Sequence, residues 1–145
     1  MVKVNIEGVL LTKLRVIDNN KGDVMHGMRS EDSGYGGFGE AYFSKINRGD
    51  IKGWKKHNLM TLNLIVPIGQ VKFVLYDDRP RHEKRFNELI ISLNNYYRLT
   101  VPPNIWVAFK GLGKDNMILN IANIMHDPNE SENKDLSDIK YDWSI

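Results

Sequence analysis

The sequence predicts an all-β fold, either a sandwich or a barrel. Its apolar runs are short, roughly five to ten residues each, and they are rich in Val, Ile, Leu, Phe and Tyr. Turn-forming residues separate the runs, and many short strands at this spacing are typical of all-β domains. We expect strands at residues 8–17, 24–29, 37–46, 51–54, 60–67, 70–76, 86–93, 97–101, 106–111 and 117–125.

Turn residues and prolines mark where the strands end. The run from Asn19 to Gly22 predicts a turn after the first strand, and Pro67-Ile68-Gly69 predicts a tighter one after the fifth. Pro102 and Pro103 end the eighth strand, because proline lacks the N–H group that a strand ladder needs. The polar segment 127–138 is expected to form a short helix or an ordered loop on the solvated surface.

Length and composition exclude several classes of protein. A chain of 145 residues fits one domain, residues 1–145, with a core of its own. The absence of cysteine excludes disulfides and a cysteine nucleophile, and it fits a cytoplasmic protein. A net charge of +2 is too small to predict nucleic-acid binding. Polar residues interrupt the first apolar run, so we expect neither a signal peptide nor a membrane partner.

The segment 50–63 carries the most prominent cluster of polar side chains. If strand alternation is regular, one face is shared by Lys55, His57, Thr61 and Asn63. Such a face either lines a polar cavity or belongs to an exposed edge strand whose lysines oppose aggregation.

A bulge at Gly53 would interrupt the alternation and bring Lys52 to the side of Lys55, while Trp54 and Lys56 point the other way. Clustered ammonium groups disfavour one another's charge, so one lysine is a candidate base or Schiff-base nucleophile. The same lysines in their charged form would bind a pyrophosphate instead. The residue types alone leave both possibilities open.

No metal cofactor is expected. A metal site needs convergent ligands, commonly two or more histidines with a carboxylate, but His57 is the only histidine near the central strand. The sequence also lacks a phosphate-binding glycine motif that opens a helix and a serine in a GxSxG setting.

Several motifs together resemble one family. Phe38 to Ser44 followed by Arg48 to Lys55 resembles F-x-Q-x-N-x-S followed by K-G-x-L-R-G-L-H of the dTDP-4-dehydrorhamnose 3,5-epimerases. Gly69 to Arg79 resembles G-x-V-x-x-V-x-x-D-x-R, and the likeness continues to Trp143. The resemblance implies a cupin-like jelly-roll β-barrel that forms a homodimer, binds a nucleotide sugar and needs no cofactor.

The chain departs from the family's pattern at its catalytic positions. Lys55 stands where the family has its catalytic histidine, with His57 two residues later, and Leu62 stands at or near the enolate-stabilising lysine. The family's tyrosines are replaced by Asn120, Met125 and His126, and the histidine of its A-H-G-F motif is Val107.

The family's orienting aspartate has no clear match, although Asp135 lies within a residue of the expected spacing. On the phosphate side, Lys52 replaces a nucleotide-binding arginine, and Glu40 and Tyr42 stand at polar ligand contacts.

An epimerase acting beside a ketone needs a base, a group that stabilises the enolate and an acid on the other face. The candidates are His57 or a neutral Lys55 as base, Lys55, Lys52 or Asn63 for the enolate, and His126 or Tyr42 as acid. The expected substrate contacts are Lys52, Glu40, Tyr42 and Asn120.

The expected function is therefore that of a metal-independent epimerase or isomerase of a nucleotide-linked 4-keto sugar in cell-surface polysaccharide biosynthesis. One alternative is a catalytically inactive cupin module that binds a sugar nucleotide or partners an active enzyme. A more distant alternative is a carrier of small molecules without a nucleotide role.

Overall fold

The computed structural model describes residues 4–144, and twelve β-strands make up about half of this part of the chain. The strands are β1 (Leu10–Lys13), β2 (Val16–Ile17), β3 (Val24–Met25), β4 (Glu40–Asn47), β5 (Ile51–His57), β6 (Leu62–Ile68), β7 (Gln70–Asp77), β8 (Arg85–Ser92), β9 (Tyr97–Val101), β10 (Trp106–Gly111), β11 (Asp115–Ala122) and β12 (Ser131–Asn133). Two 3-10 turns, Pro128–Glu130 and Leu136–Asp138, are the only helical segments within residues 4–144, and neither has the length to cross a bilayer.

Two antiparallel five-stranded sheets face each other. Sheet I has the order β1-β9-β6-β11-β4, and sheet II has the order β12-β5-β10-β7-β8. Alternate side chains of both sheets point inward and form the main core, which includes Val66, Phe73, Leu75, Ile91 and Leu99. This arrangement confirms the predicted all-β class and the cupin-like jelly roll.

Each of the ten predicted strands has a counterpart, but several differ in extent. The second one, predicted at 24–29, is limited to Val24–Met25. The first one, predicted at 8–17, is divided, because β1 pairs with β9 whereas β2 leaves sheet I and pairs with β3. The fourth continues beyond Trp54 to His57. In addition, β12 lies inside the segment 127–138, where the polar composition gives no strand signal.

The predicted bulge at Gly53 is confirmed. β10 pairs Phe109 with Lys52 and Val107 with Lys55, so β5 contributes one residue more than β10 across this interval. Gly53 has a φ of +148°, and a Cβ there would lie 2.4 Å from the Cβ of Ala108. Only glycine fits this backbone conformation without strain.

The segment after β12 returns across the outer face of sheet II. Its aromatic side chains join Trp54 in a cluster: the Trp54 and Trp143 rings are 6.1 Å apart, and the Tyr141 and Trp143 rings are 5.0 Å apart. The ammonium group of Lys72 lies 5.4 Å from the centre of the Tyr141 ring. These contacts fix the segment against the sheet.

The outer face of sheet I is covered by the loop 26–37. Arg98, which is fully buried, donates to the carbonyl oxygens of Gly27 at 2.8 Å and Ser33 at 3.1 Å. Asp32 lies 3.4 Å from the same guanidinium group. Burial lowers the pKa of Arg98, although the Asp32 carboxylate acts in the opposite direction.

Candidate active site

A cavity of about 610 Å³ lies between the two sheets. Sheet I, sheet II and the segment 133–138 all contribute side chains to its wall. The lining residues are apolar or aromatic (Trp54, Leu62, Leu64, Val107, Phe109, Ile118), polar (Tyr42, Ser44, Asn120, Asn133), charged or ionisable (Lys52, Lys55, His57, Lys134, Asp135, Asp138), or glycine (Gly53). A cavity of this volume whose wall combines apolar and aromatic side chains with convergent polar and charged groups is typical of a small-molecule site.

Strand β5 supplies the basic side of the cavity. Lys52, Lys55 and His57 line it, and the bulge is what places Lys52 on the same face as the other two. Lys56 points outward as predicted, and its ammonium group lies 5.0 Å from the centre of the Trp106 ring. β5 lies between β10 and β12, so the alternative of an exposed edge strand is wrong.

The two lysines in the cavity are engaged differently. The Nζ of Lys52 donates to the carbonyl oxygen of Lys45 at 2.6 Å. Lys55 is half-buried, and its side chain makes no hydrogen bond or ion pair within residues 4–144. Its ammonium group is therefore available to a ligand carrying negative charge.

A buried pair of His57 and Glu130 is the most specific chemical feature of the cavity. The Nδ1 of His57 contacts the Oε1 of Glu130, and both residues are almost fully buried. The Oε2 of Glu130 accepts hydrogen bonds from the backbone N–H groups of Leu59 at 3.1 Å and Met60 at 3.2 Å. Each oxygen of the carboxylate therefore has a partner.

The environment of Glu130 keeps its carboxyl ionised. Burial alone would raise the pKa of Glu130, but the hydrogen bonds from His57 and from the backbone of Leu59 and Met60 outweigh it, so the pKa lies below its ordinary value. An ionised carboxylate can only accept, which means that the proton of the contact belongs to Nδ1 of His57.

With the proton on Nδ1, the atom of His57 that is left to accept a proton is Nε2. It makes no hydrogen bond within the described part of the chain, and His57 lines the cavity. This is the geometry of an oriented general base.

Glu130 was missed in the sequence, where the segment 127–138 was expected to be solvated surface. Asp135, the expected orienting residue, lines the cavity, but its backbone N–H binds Asp138 and its carboxylate does not contact His57. The pairing of Ser131 with His57 in β12 brings Glu130 to the ring. Because that pairing joins residues 74 positions apart, no local sequence signal announces it.

Two further cavity residues, Tyr42 and Asn120, face each other on neighbouring strands of sheet I. They are direct partners in the β4–β11 ladder. The Nδ2 of Asn120 donates to the hydroxyl oxygen of Tyr42 at 3.1 Å. Both residues line the cavity, which is consistent with the prediction that they contact the substrate.

Three expected site residues lie elsewhere. Asn63 points away from the cavity: its Nδ2 donates to the carbonyl oxygen of Gly34, and its Oδ1 accepts from the hydroxyl of Thr100. The reason is that β6 starts afresh at Leu62 after a loop, so the alternation of β5 does not continue into it. His126 is exposed in the loop after β11 and does not line the cavity. Glu40 shares the strand face of Tyr42 but lies outside the lining.

Within residues 4–144, no three His, Asp or Glu side chains converge in a way that could hold a metal ion.

Solved structures share this architecture, whereas no protein-family model and no curated protein matches the sequence. A dTDP sugar isomerase from Desulfovibrio desulfuricans G20 is 33% identical, has a TM-score of 0.91 and covers 96% of this chain and 92% of its own.

Two more distant structures agree in fold. A dTDP-4-dehydrorhamnose 3,5-epimerase from Sulfolobus tokodaii is 20% identical with a TM-score of 0.86, and it covers 100% of this chain and 86% of its own. A variant of a 3'-monoepimerase from Streptomyces bikiniensis, in complex with dTDP, is 14% identical with a TM-score of 0.85, and it covers 95% of this chain and 74% of its own.

Proposed function

Because this chain belongs to the dTDP-sugar isomerase and dTDP-4-dehydrorhamnose 3,5-epimerase family, we propose that it is a metal-independent epimerase or isomerase of a nucleotide-linked 4-keto sugar. The observation that carries the proposal is the His57–Glu130 pair on the wall of a cavity that also presents Lys52 and Lys55. A base and two cations on the wall of one cavity suit the removal of a proton from carbon beside a ketone.

His57 acts as the base in this proposal. Its Nε2 accepts the proton from the carbon next to the ketone, and the electron pair of the broken C–H bond moves into the enolate. Glu130 holds the ring in the tautomer that leaves Nε2 free, and its negative charge stabilises the imidazolium that forms. General base catalysis of this kind contributes about 10² to 10⁴ in rate.

The two lysines bind different negatively charged groups of the substrate. Lys55, which has no partner within residues 4–144, stabilises the enolate oxygen. Lys52 lies three residues earlier along the same face and binds the pyrophosphate. The apolar side chains of the lining lower the local dielectric constant, which strengthens both interactions.

Deuterium exchange tests the proposal. The protein is incubated in D₂O with dTDP-4-keto-6-deoxyglucose, and incorporation at carbon is followed by NMR. We expect exchange in the wild-type protein and its loss in His57→Asn. Binding of dTDP without any exchange would instead indicate an inactive nucleotide-binding module. A melting temperature that no nucleotide raises would indicate a carrier outside nucleotide chemistry.

The wider setting of the enzyme is also proposed. The chain forms one domain and acts as a homodimer in the cytoplasm, in cell-surface polysaccharide biosynthesis. Support for the dimer comes from β1, which lies at one edge of sheet I and leaves a row of backbone groups open to a second copy. Sedimentation equilibrium measures the oligomeric state, and a monomer at micromolar concentration would contradict this part.

A further inference from the structure

We propose that Asn63 and Thr100 are positioning residues, which set the affinity of the cavity for the sugar from the other face of sheet I by acting through Asn120 and Tyr42. This inference rests on the proposed function, since it takes a nucleotide sugar as the ligand. It deepens that function by naming what orients one wall of the site. Neither Asn63 nor Thr100 lines the cavity itself.

The two positioning residues face the outer side of sheet I. Their neighbours Leu64 and Leu99 belong to the main core between the sheets, so strand alternation turns Asn63 and Thr100 outward. The two are direct partners in the β6–β9 ladder, and the hydroxyl of Thr100 donates to the Oδ1 of Asn63 at 2.6 Å. The Nδ2 of Asn63 donates to the carbonyl oxygen of Gly34, in the loop that covers this face, at 3.1 Å.

The backbone of Asn63 carries the link through the sheet. Its N–H donates to the Oδ1 of Asn120 at 3.1 Å, at the point where the pairing of β6 with β11 ends. This donor identifies the atom as oxygen, so the Nδ2 of Asn120 is turned toward Tyr42, whose hydroxyl oxygen it binds at 3.1 Å. One chain of hydrogen bonds therefore runs from the outer loop to a side chain on the cavity wall.

Burial makes this chain rigid. Asn63 and Asn120 are 2% exposed and Thr100 is 3% exposed, so water has little access to replace a lost partner. When one partner in such a buried network is removed, the group that it contacted is left unsatisfied and its position changes. Tyr42, by contrast, is 43% exposed, and its contact with Asn120 is what fixes its hydroxyl.

The place of Tyr42 along the cavity assigns it to the sugar. Lys52, which binds the pyrophosphate in the proposed function, contacts the carbonyl oxygen of Lys45 on β4. Both strands run away from the turn 48–50 that joins them. Tyr42 lies three residues from Lys45 on β4, and Lys55 lies three residues from Lys52 on β5, so each is about 10 Å from this contact along its strand. Tyr42 therefore lies at about the level of Lys55, beside the sugar.

Loss of the Thr100 hydroxyl would break the chain at its outer end. The Oδ1 of Asn63 would lose its donor at a buried position, and Asn120 and Tyr42 would lose their fixed orientation in turn. The affinity for the sugar should then fall, whereas the pyrophosphate contact of Lys52 should remain. The ligands dTDP and dTDP-glucose separate these two contributions, because only the second carries a sugar.

A double-mutant cycle tests the inference. Titration calorimetry measures the dissociation constants of dTDP and dTDP-glucose for wild type, Thr100→Val, Tyr42→Phe and the double variant. We expect the preference for dTDP-glucose over dTDP to fall about fivefold in each single variant, the factor for one neutral hydrogen bond, with the dTDP affinity unchanged. The double variant should lose no more than either single variant, because both substitutions interrupt the same chain.

Conservative and remote variants serve as controls. Thr100→Ser keeps the hydroxyl and should retain the wild-type preference. Thr12→Val, on β1 of the same sheet and outside the network, should retain it as well. A residue that only supports the fold would lower the melting temperature without changing the preference between the two ligands. If Thr100→Val does not fold, Asn63→Ala takes its place in the cycle, because it removes the side chain that links Thr100 to the loop.

The outcomes distinguish this inference from the proposed function. A preference in Thr100→Val within about twofold of wild type, or losses that multiply in the double variant, would overturn the inference and leave the proposed function standing. An equal affinity of the wild-type protein for dTDP and dTDP-glucose would also overturn it. Absence of deuterium exchange in a wild-type protein that shows the expected cycle would refute the enzyme and support the network, since binding requires no turnover. A wild-type protein that binds neither ligand would contradict both.

Discussion

Replacing Glu130 with glutamine changes the partner of His57 while keeping the shape of the side chain. The amide oxygen can still accept from the backbone N–H groups of Leu59 and Met60. The amide nitrogen then faces Nδ1 of His57 and donates to it. This contact favours the other tautomer, with the proton on Nε2, where the cavity needs a lone pair.

Two magnitudes follow from this exchange of partners. The rate of proton abstraction should fall by about 10² to 10⁴, because the base is lost while the cavity remains. Hydrogen bonds to a charged group contribute about 1.5–3 kcal/mol and neutral ones about 1 kcal/mol, so the exchange of partners at His57 should lower the free energy of unfolding of Glu130→Gln by about 0.5–2 kcal/mol. The catalytic loss corresponds to about 2.7–5.5 kcal/mol of activation free energy, since each factor of ten is about 1.36 kcal/mol, and it therefore exceeds the folding defect.

Initial rates of deuterium incorporation at carbon, measured by NMR with dTDP-4-keto-6-deoxyglucose, give the first quantity, and urea denaturation gives the second. Glu132→Gln is the matched control. Glu132 is two residues away on β12 and contacts Lys56 on the outer face at 3.4 Å, where an exposed ion pair is worth about 0–1 kcal/mol. Exchange by Glu130→Gln within about threefold of wild type would refute the assignment of Glu130.

Three further predictions concern charge, backbone and pH. Lys52→Met should weaken dTDP binding about tenfold in calorimetry, whereas Lys56→Met, on the outer face of β5, should leave it unchanged; equal effects would contradict the pyrophosphate role. In urea denaturation, Gly53→Ala should lower the free energy of unfolding more than Gly22→Ala does. Both glycines have positive φ, but only at Gly53 would the added Cβ collide with a neighbouring residue. Equal losses would show that backbone strain alone determines the effect. The pKa of Glu130 is lowered in the folded state, so its ionised form stabilises the fold above the unfolded pKa near 4.5. This stabilisation is lost as the pH falls through the lower folded pKa. The difference in free energy of unfolding between wild type and Glu130→Gln should therefore disappear in acid, as urea denaturation at several pH values would show.

The strands were predictable because their signal is local. Alternating apolar residues and turn residues act over a few positions, and the ten predicted strands are present. The bulge at Gly53 was predictable for the same reason, since a glycine inside a basic strand is a local anomaly. The prediction of this bulge correctly placed Lys52, Lys55 and His57 on one wall of the cavity.

The errors arise where residues distant in sequence meet. Glu130 reaches His57 through pairing across 73 positions, and the polar composition around it resembles ordinary surface. Asn63 was placed in the cavity by carrying one alternation across the loop 58–61, which resets the register. His126 follows β11 in a loop, where alternation predicts nothing about direction.

Strand β12 is only three residues long and pairs with β5 alone, yet Glu130, the carboxylate that contacts His57, immediately precedes it. Short edge elements are among the first to open in local unfolding, at a free energy below that of the whole domain. If β12 separates from β5, the lysines stay on their strand while the imidazole loses its anchor. Warming should therefore abolish turnover before it abolishes nucleotide binding. Loss of activity on heating would then report local opening of β12 and not unfolding of the whole domain.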